Sequence, residues 1–457
     1  MPPDFSAGDT AWVLAASALV LLMTPGVALF YGGMVRAKSV LNMLMMSFIC
    51  LAIVSVLWVL FGYSLAFGTD SASGLIGNLE HVGFLGIKTD DLSGSVPTYV
   101  FAAFQLMFAI LTPALISGAI ADRAKFGAWV VFVALWSVLV YFPVAHWVFF
   151  FDDGKGGWIG DRLGALDFAG GTAVHINAGV AALALVLVLG PRLGFKRDPM
   201  RPHNLPLVML GAGLLWFGWF GFNAGSALAA NGLASVAFLN TQVATAAAVL
   251  GWLMVEKLRD GHATTLGAAS GAVAGLVAIT PACASVDPLG AIAIGLIAGV
   301  VCAFAVGLKY KLGYDDSLDV VGVHAVGGFV GSLLIGLFAT QSVTGPEGAA
   351  GLFYGGGLTQ LGKQAIGAFA VAAYSFVISF ILAKAIDLTM GFRVSSEDEV
   401  TGVDLTTHAE TAYEFGPLIH GATTRSLAGT AAGAPPAGRT SVSDKTSDQA
   451  SPAGRKV

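Results

Sequence analysis

The sequence predicts an all-α, polytopic membrane protein of eleven transmembrane helices, N-terminus outside and C-terminus inside. Three observations carry that prediction. Apolar runs repeatedly reach the roughly 20 residues that a helix needs to cross about 30 Å of hydrocarbon. Charged residues are only 11% of the chain while hydrophobic residues are 56%, against about 25% charge in soluble globular proteins. Lysine and arginine fall on alternate connections, as the positive-inside rule requires. Glycine, at 60 of 457 residues, suits the same reading, because small residues let membrane helices approach closely where no hydrophobic force drives them together.

Taken in order, the predicted spans are 11–34, 42–68, 99–121, 128–150, 172–190, 207–226, 235–255, 264–283, 289–308, 321–340 and 365–386. The first is expected to be a span rather than a cleaved leader, since it is too long for a leader's apolar region and only Asp4 and Asp9 precede it, with no Lys or Arg. With the N-terminus outside, Arg36, Lys38, Arg123, Lys125, Arg192, Lys196, Arg197, Arg201, Lys257, Arg259, Lys309, Lys311 and the basic residues from Lys384 onward lie inside. Only Lys88, Lys155, Arg162 and Lys363 remain outside. The expected division is a transmembrane domain over 1–390, an ordered cytoplasmic segment over 391–420 and a disordered tail over 421–457. That tail is rich in Ala, Gly, Ser, Thr and Pro and has no apolar period.

Two histidines stand alone inside apolar, glycine-rich runs. They occur in Asp167-Phe-Ala-Gly-Gly-Thr-Ala-Val-His175-Ile-Asn-Ala-Gly179 and Asp319-Val-Val-Gly-Val-His324-Ala-Val-Gly-Gly328, which share Val-His-x-x-x-Gly. An ionisable side chain at membrane depth costs at least ~2.5 kcal/mol when charged and marks function by default. Two in matching settings suggest one shared pore. Cys50, Cys283 and Cys302 have no ligand spacing and read as small core residues, so neither disulfide nor metal is expected. His81, His146, His203, His262, His408 and His420 fall in loops or at span ends and carry no assigned chemistry.

Several motifs in one order make a resemblance specific. Pro25-Gly-Val-Ala-Leu-Phe-Tyr-Gly-Gly33, Asp167-Phe-Ala-Gly-Gly-Thr through Gly190-Pro-Arg192, Trp219-Phe-Gly-Phe222-Asn-Ala-Gly-Ser226 and Gly322-Val-His324 closely resemble the ammonium transporter (Amt/Mep/Rh) family, over about residues 8–415. The resemblance implies a homotrimer in the cell membrane. Each subunit would have its own narrow pore, built from two inverted five-helix repeats plus an eleventh helix. It also implies that His175 and His324 are twin pore histidines, that Phe108 and Phe222 form a gate, and that Trp219 lines the pore deeper in. Phe104, Phe149 and Ser226 would form an outer cation site, and Asp167 would begin the helix bearing His175. Phe149 stands where many bacterial members have tryptophan. Either Phe149 or Trp158, in an inserted loop that follows, completes the aromatic cage.

The residues suit that chemistry. Ammonium is a small cation with four N–H donors; aromatic faces attract it by about 0.5–2 kcal/mol, and a hydroxyl accepts a hydrogen bond from one of them. So weak a site does not offset carrying a bare cation through hydrocarbon, so loss of a proton before the dry section is expected. A neutral imidazole offers one donor and one acceptor, and a pair of them lines a path for a small polar solute or a relayed proton. For Asp167, capping the helix start and accepting a proton remain alternative roles.

Other classes are weaker. A metalloenzyme would need a third ligand and an activated water, which the spans do not offer. Catalytic, phosphate-loop and nucleic-acid motifs are absent, and no cofactor is expected. A sensor signalling through residues 387–420 is the alternative function. The resemblance further implies a PII-type signal protein docking on the cytoplasmic face. Gly402-Val-Asp404-Leu-Thr-Thr-His408-Ala409-Glu410 matches the family's tail pattern except that Ala409 replaces glycine. If that position needs a positive φ, alanine stiffens the turn.

Overall fold

The computed structural model describes residues 4–413, so the predicted disordered tail lies outside the described residues, as do residues 414–420 of the predicted cytoplasmic segment. Ten of the described helices are long and apolar enough to cross a membrane. They are α1 (Ala7–Met34), α2 (Val40–Phe67), α3 (Thr98–Ile120), α4 (Phe126–Phe149), α5 (Gly171–Leu189), α6 (Leu205–Gly225), α7 (Gly232–Asp260), α9 (Pro288–Leu312), α10 (Val321–Phe338) and α11 (Thr359–Met390). The apolar α8 (Thr265–Ile279) is shorter, because the predicted run to 283 breaks into a turn at Thr280-Pro281. Among the described residues the only paired strands are Leu92–Ser93 and Val96–Pro97.

The helices pack by small residues. α1 lies along α6, α7 along both α8 and α9, and α5 against α11. The decisive contact is the crossing of α5 and α10. A Cβ on Gly179 would come 2.2 Å from the Ala325 backbone nitrogen, and one on Gly328 would come 2.9 Å from Ile176 Cγ1. Each glycine of the repeated Val-His-x-x-x-Gly therefore abuts the residue that follows the other motif's histidine. Only a bare backbone permits that approach, which brings the two histidines together.

The face that carries the C-terminal segment is held by charge. Arg192 bridges Asp315 at 2.8 Å and Asp122 at 3.2 Å, and Arg36 reaches Asp122 at 3.1 Å. Burial works against an ionised Asp315, yet the Arg192 hydrogen bonds and the Arg123 charge hold its carboxyl below its usual value. Beyond α11, Ser396–Thr401 forms a short helix, α12. Glu399 accepts from the Leu193 N–H at 2.7 Å and pairs with Arg393 at 2.8 Å. Asp404 accepts the N–H groups of Leu41 (3.0 Å) and Asn42 (2.8 Å). Asp404 thereby caps α2, whose own Ser39 makes no side-chain cap. Ala409 has φ +56°, so the turn does demand the left-handed conformation that glycine adopts freely.

Candidate functional site

His175 and His324 each sit in a π-helical turn, Gly171–Ile176 and Val321–Ala325, at the starts of α5 and α10. Such turns widen a helix locally and recur at functional sites. Each is fixed by a carboxylate eight residues before its histidine, buried for Asp316 and half-buried at the edge of a cavity for Asp167. Asp167 accepts the N–H groups of Gly170 (2.9 Å), Gly171 (2.6 Å), Thr172 (2.8 Å) and Ala173 (3.2 Å), and the Thr172 hydroxyl as well. Burial raises the Asp167 carboxyl, while the bonds from Thr172 and the backbone pull it down. Gln364 of α11 clamps the neighbouring Leu166 through its N–H (2.6 Å) and its carbonyl (2.7 Å). Asp316 accepts from Val320 (3.1 Å) and Val321 (2.7 Å).

Sequence reasoning overlooked Asp316 because Asp319 stands nearer to His324. The shared eight-residue offset was the available signal. Asp319 instead takes a φ of +66° and pairs with Lys309 at 2.6 Å.

The two imidazoles face each other, Nδ1 to Nδ1, at 3.2 Å. One nitrogen must donate and the other accept, so the two Nδ1 atoms share a single proton and the pair cannot be doubly charged while this bond exists. His175 Nε2 is buried without a partner. Trp219 and Phe222 stack against the His175 ring at 5.4 and 5.9 Å. The Trp219 indole N–H donates to Thr280 Oγ1 at 2.8 Å, which locks the indole orientation. Phe222 meets Phe108 at 4.4 Å between centroids. Both phenylalanines are buried.

These rings lie between cavities. On the face near the start of α1, Phe108, Phe149, Phe151, Gln105 and Ser226 help to line a cavity of about 300 Å³. Stepping back along α6 from Ser226 through Phe222 and Trp219 to Leu215 reaches a narrow space of about 10 Å³, lined by His324, Trp219, Tyr31 and apolar side chains. Further along α1, Met34 lines a third cavity of about 630 Å³ with Arg192, Ser317 and Asp319 on the opposite face. The sequence-predicted Phe149 and Ser226 reach the first cavity. Phe104 is fully buried behind it, edge-on to Phe108 at 4.9 Å. Trp158 packs on Trp147 at 5.7 Å, away from the cavity lining. The Ser226 hydroxyl donates to the Phe222 carbonyl at 2.8 Å, which leaves its lone pairs to accept. Gln105, Phe151, Ser285 and Thr280 belong to the site's walls or supports and were not singled out in sequence. Among the described residues no cluster of His, Cys, Asp or Glu is arranged to hold a metal.

A multi-pass helical membrane protein with a buried histidine pair between two opposed cavities is the class defined by this fold and site. Residues 11–413 match the profile of the Ammonium Transporter Family, and the chain belongs to that family. It is similar to an ammonium transporter of Mycobacterium tuberculosis, at 60% identity over 89% of this chain and 90% of that one. Among solved structures it resembles Saccharomyces cerevisiae Mep2 (TM-score 0.79, 37% identity, 86% and 89% of the two chains). It also resembles a protein described as a sensor Amt protein (TM-score 0.80, 30% identity, 87% and 98%).

Proposed function

We propose that this chain transports ammonium across the cell membrane, as a channel-like transporter rather than an enzyme, taking the cation from outside and passing it inward as ammonia. The observation that carries the reading is the histidine pair at 3.2 Å, buried between two cavities and holding one unpartnered ring nitrogen. The cavity of Phe149 and Ser226 is the outer mouth, with eleven spans, the N-terminus outside and the C-terminal segment in the cytoplasm. There the aromatic faces attract ammonium and the Ser226 oxygen accepts a hydrogen bond from one of its N–H groups. Ammonium gives up a proton to water in that mouth before the Phe108–Phe222 gate, because a bare cation in the narrow section forfeits its hydration without a compensating charge. The neutral solute then slides along the imidazole edges, where His175 Nε2 offers it a hydrogen-bond partner. That Asp167 already accepts five hydrogen bonds supports its role in positioning the His175 helix over direct proton acceptance.

Family resemblance supports a homotrimer with one pore per subunit. A PII-type protein docking on the cytoplasmic face goes with the same reading. A sensor role is the second reading, favoured by the likeness to the sensor Amt protein and by the docked C-terminal segment. Uptake into proteoliposomes, with ammonium and potassium compared at equal gradients, tests transport. Ammonium uptake without potassium uptake is expected, and equal passage of both overturns the deprotonation step.

A further inference from the structure

The first cavity has an aromatic wall that the family motifs do not account for. Phe151 is 64% exposed and lines that cavity with Phe149, while its ring edge lies against Gly160. It sits on a turn that is fixed rather than loose. One carboxylate oxygen of Asp161 accepts the N–H groups of Asp152 (3.0 Å), Gly154 (2.9 Å) and Gly156 (2.7 Å). The Gly157 N–H closes back on the Phe150 carbonyl at 2.7 Å. Arg162 ties the turn to the neighbouring loop through Asp70 at 2.6 Å and to the Gly156 carbonyl at 2.7 Å. The turn is packed on one side, where Gly156, Gly157, Ile159 and Gly160 are buried, and leaves the Phe151 ring open to water. It holds an aromatic face at a fixed place on the mouth, and the exposed carboxylates of Asp152 and Asp153 follow it immediately.

We propose that Phe151 is an affinity-determining residue for ammonium: a further aromatic face at the rim that, with Phe149, receives the cation before it reaches Ser226. An aromatic face at the rim adds to the cation attraction that Phe149 supplies deeper in the cavity. Asp152 and Asp153 outweigh Lys155 of the same turn, and that excess of negative charge raises the local concentration of cations. The inference rests on the transport reading.

The test is concentration-dependent ammonium uptake by the full chain in proteoliposomes, with Phe151→Ala, Phe151→Leu and Phe151→Trp beside the parent. Loss of one exposed cation–π partner should raise the half-saturating concentration by about threefold in the Ala and Leu variants, with maximal rate and thermal stability unchanged. The Trp variant should match or fall below the parent's half-saturation. Leucine retains apolar bulk, so a Leu variant that behaves as the parent overturns the proposal. So does an Ala variant with unchanged half-saturation, or one that loses maximal rate alone. A parent that carries no ammonium overturns the transport reading itself, whereas a transporting parent with insensitive variants overturns only the role of Phe151.

Discussion

Gly179→Ala offers a severe test of how the fold makes the site. The added methyl would stand 2.2 Å from the Ala325 nitrogen, so α5 and α10 must part by about 1 Å or distort to restore ordinary contact. Overpacking of this kind typically costs about 1–3 kcal/mol. The strain falls at the crossing that holds the histidines, since Ala325 directly follows His324. A 1 Å separation stretches the 3.2 Å Nδ1···Nδ1 bond beyond hydrogen-bonding range and forfeits about 1 kcal/mol more. A cost of about 1.4 kcal/mol is enough to reduce the paired arrangement tenfold. Ammonium uptake by Gly179→Ala should therefore fall about tenfold, with a lowered unfolding temperature in detergent. Gly127→Ala is the control: its Cβ meets nothing within 4 Å, and helix propensity favours alanine by up to about 1 kcal/mol. If Gly179→Ala transports and unfolds like the parent while the control is also silent, the close crossing does not hold the pair in register.

The other predictions concern the face that carries the C-terminal segment and its pH response. Ala409→Gly should relieve left-handed strain at φ +56° and tighten docking of the C-terminal segment by about 0.5–1 kcal/mol. Asp404→Ala should act oppositely, removing a cap worth about 1 kcal/mol. Hydrogen exchange at the Leu41 and Asn42 amides reads both, slower in the first and faster in the second; no change in either contradicts the capping role. Burial lifts the Asp316 carboxyl to about 6, against the pull of Lys309 and with a push from Asp319. The folded value lies above the unfolded one, so its contribution to stability is full below about pH 4 and is lost as pH rises through about 6. Asp316→Asn should flatten the pH dependence of thermal unfolding across that window, and an unaltered slope would assign it elsewhere.

The helical, membrane-spanning character was legible because apolar length and scarce charge are composition-level signals. The histidines were legible because nothing else ionisable shares their runs. What joins them was visible only as a repeated spacing: Gly179 and Gly328 stand four residues after each histidine, but their close approach depends on how two distant helices cross. Asp316 was hidden by Asp319, since nearness in sequence says little about which carboxylate turns back onto a helix start. Trp158 packs on Trp147, while Phe151 of the Asp161-braced turn lines the first cavity, a difference set by loop geometry that spacing does not reveal. The shortening of α8 follows from Thr280-Pro281, where hydropathy continues but the helix does not. The positive φ at Ala409 was inferable from the glycine it replaces, since only a left-handed turn makes that exchange costly.

In the proposed transport cycle the imidazole pair, rather than pore width alone, keeps bare cations out. Potassium and ammonium fluxes through His175→Asp in proteoliposomes test it most directly. An aspartate there places a negative charge where the pair was, which compensates a dehydrated cation. Potassium conduction that the parent lacks is expected, in a protein that still folds and inserts. A His175→Asp protein that excludes potassium and carries ammonium at the parent rate would contradict that expectation, and the histidines would then be packing residues.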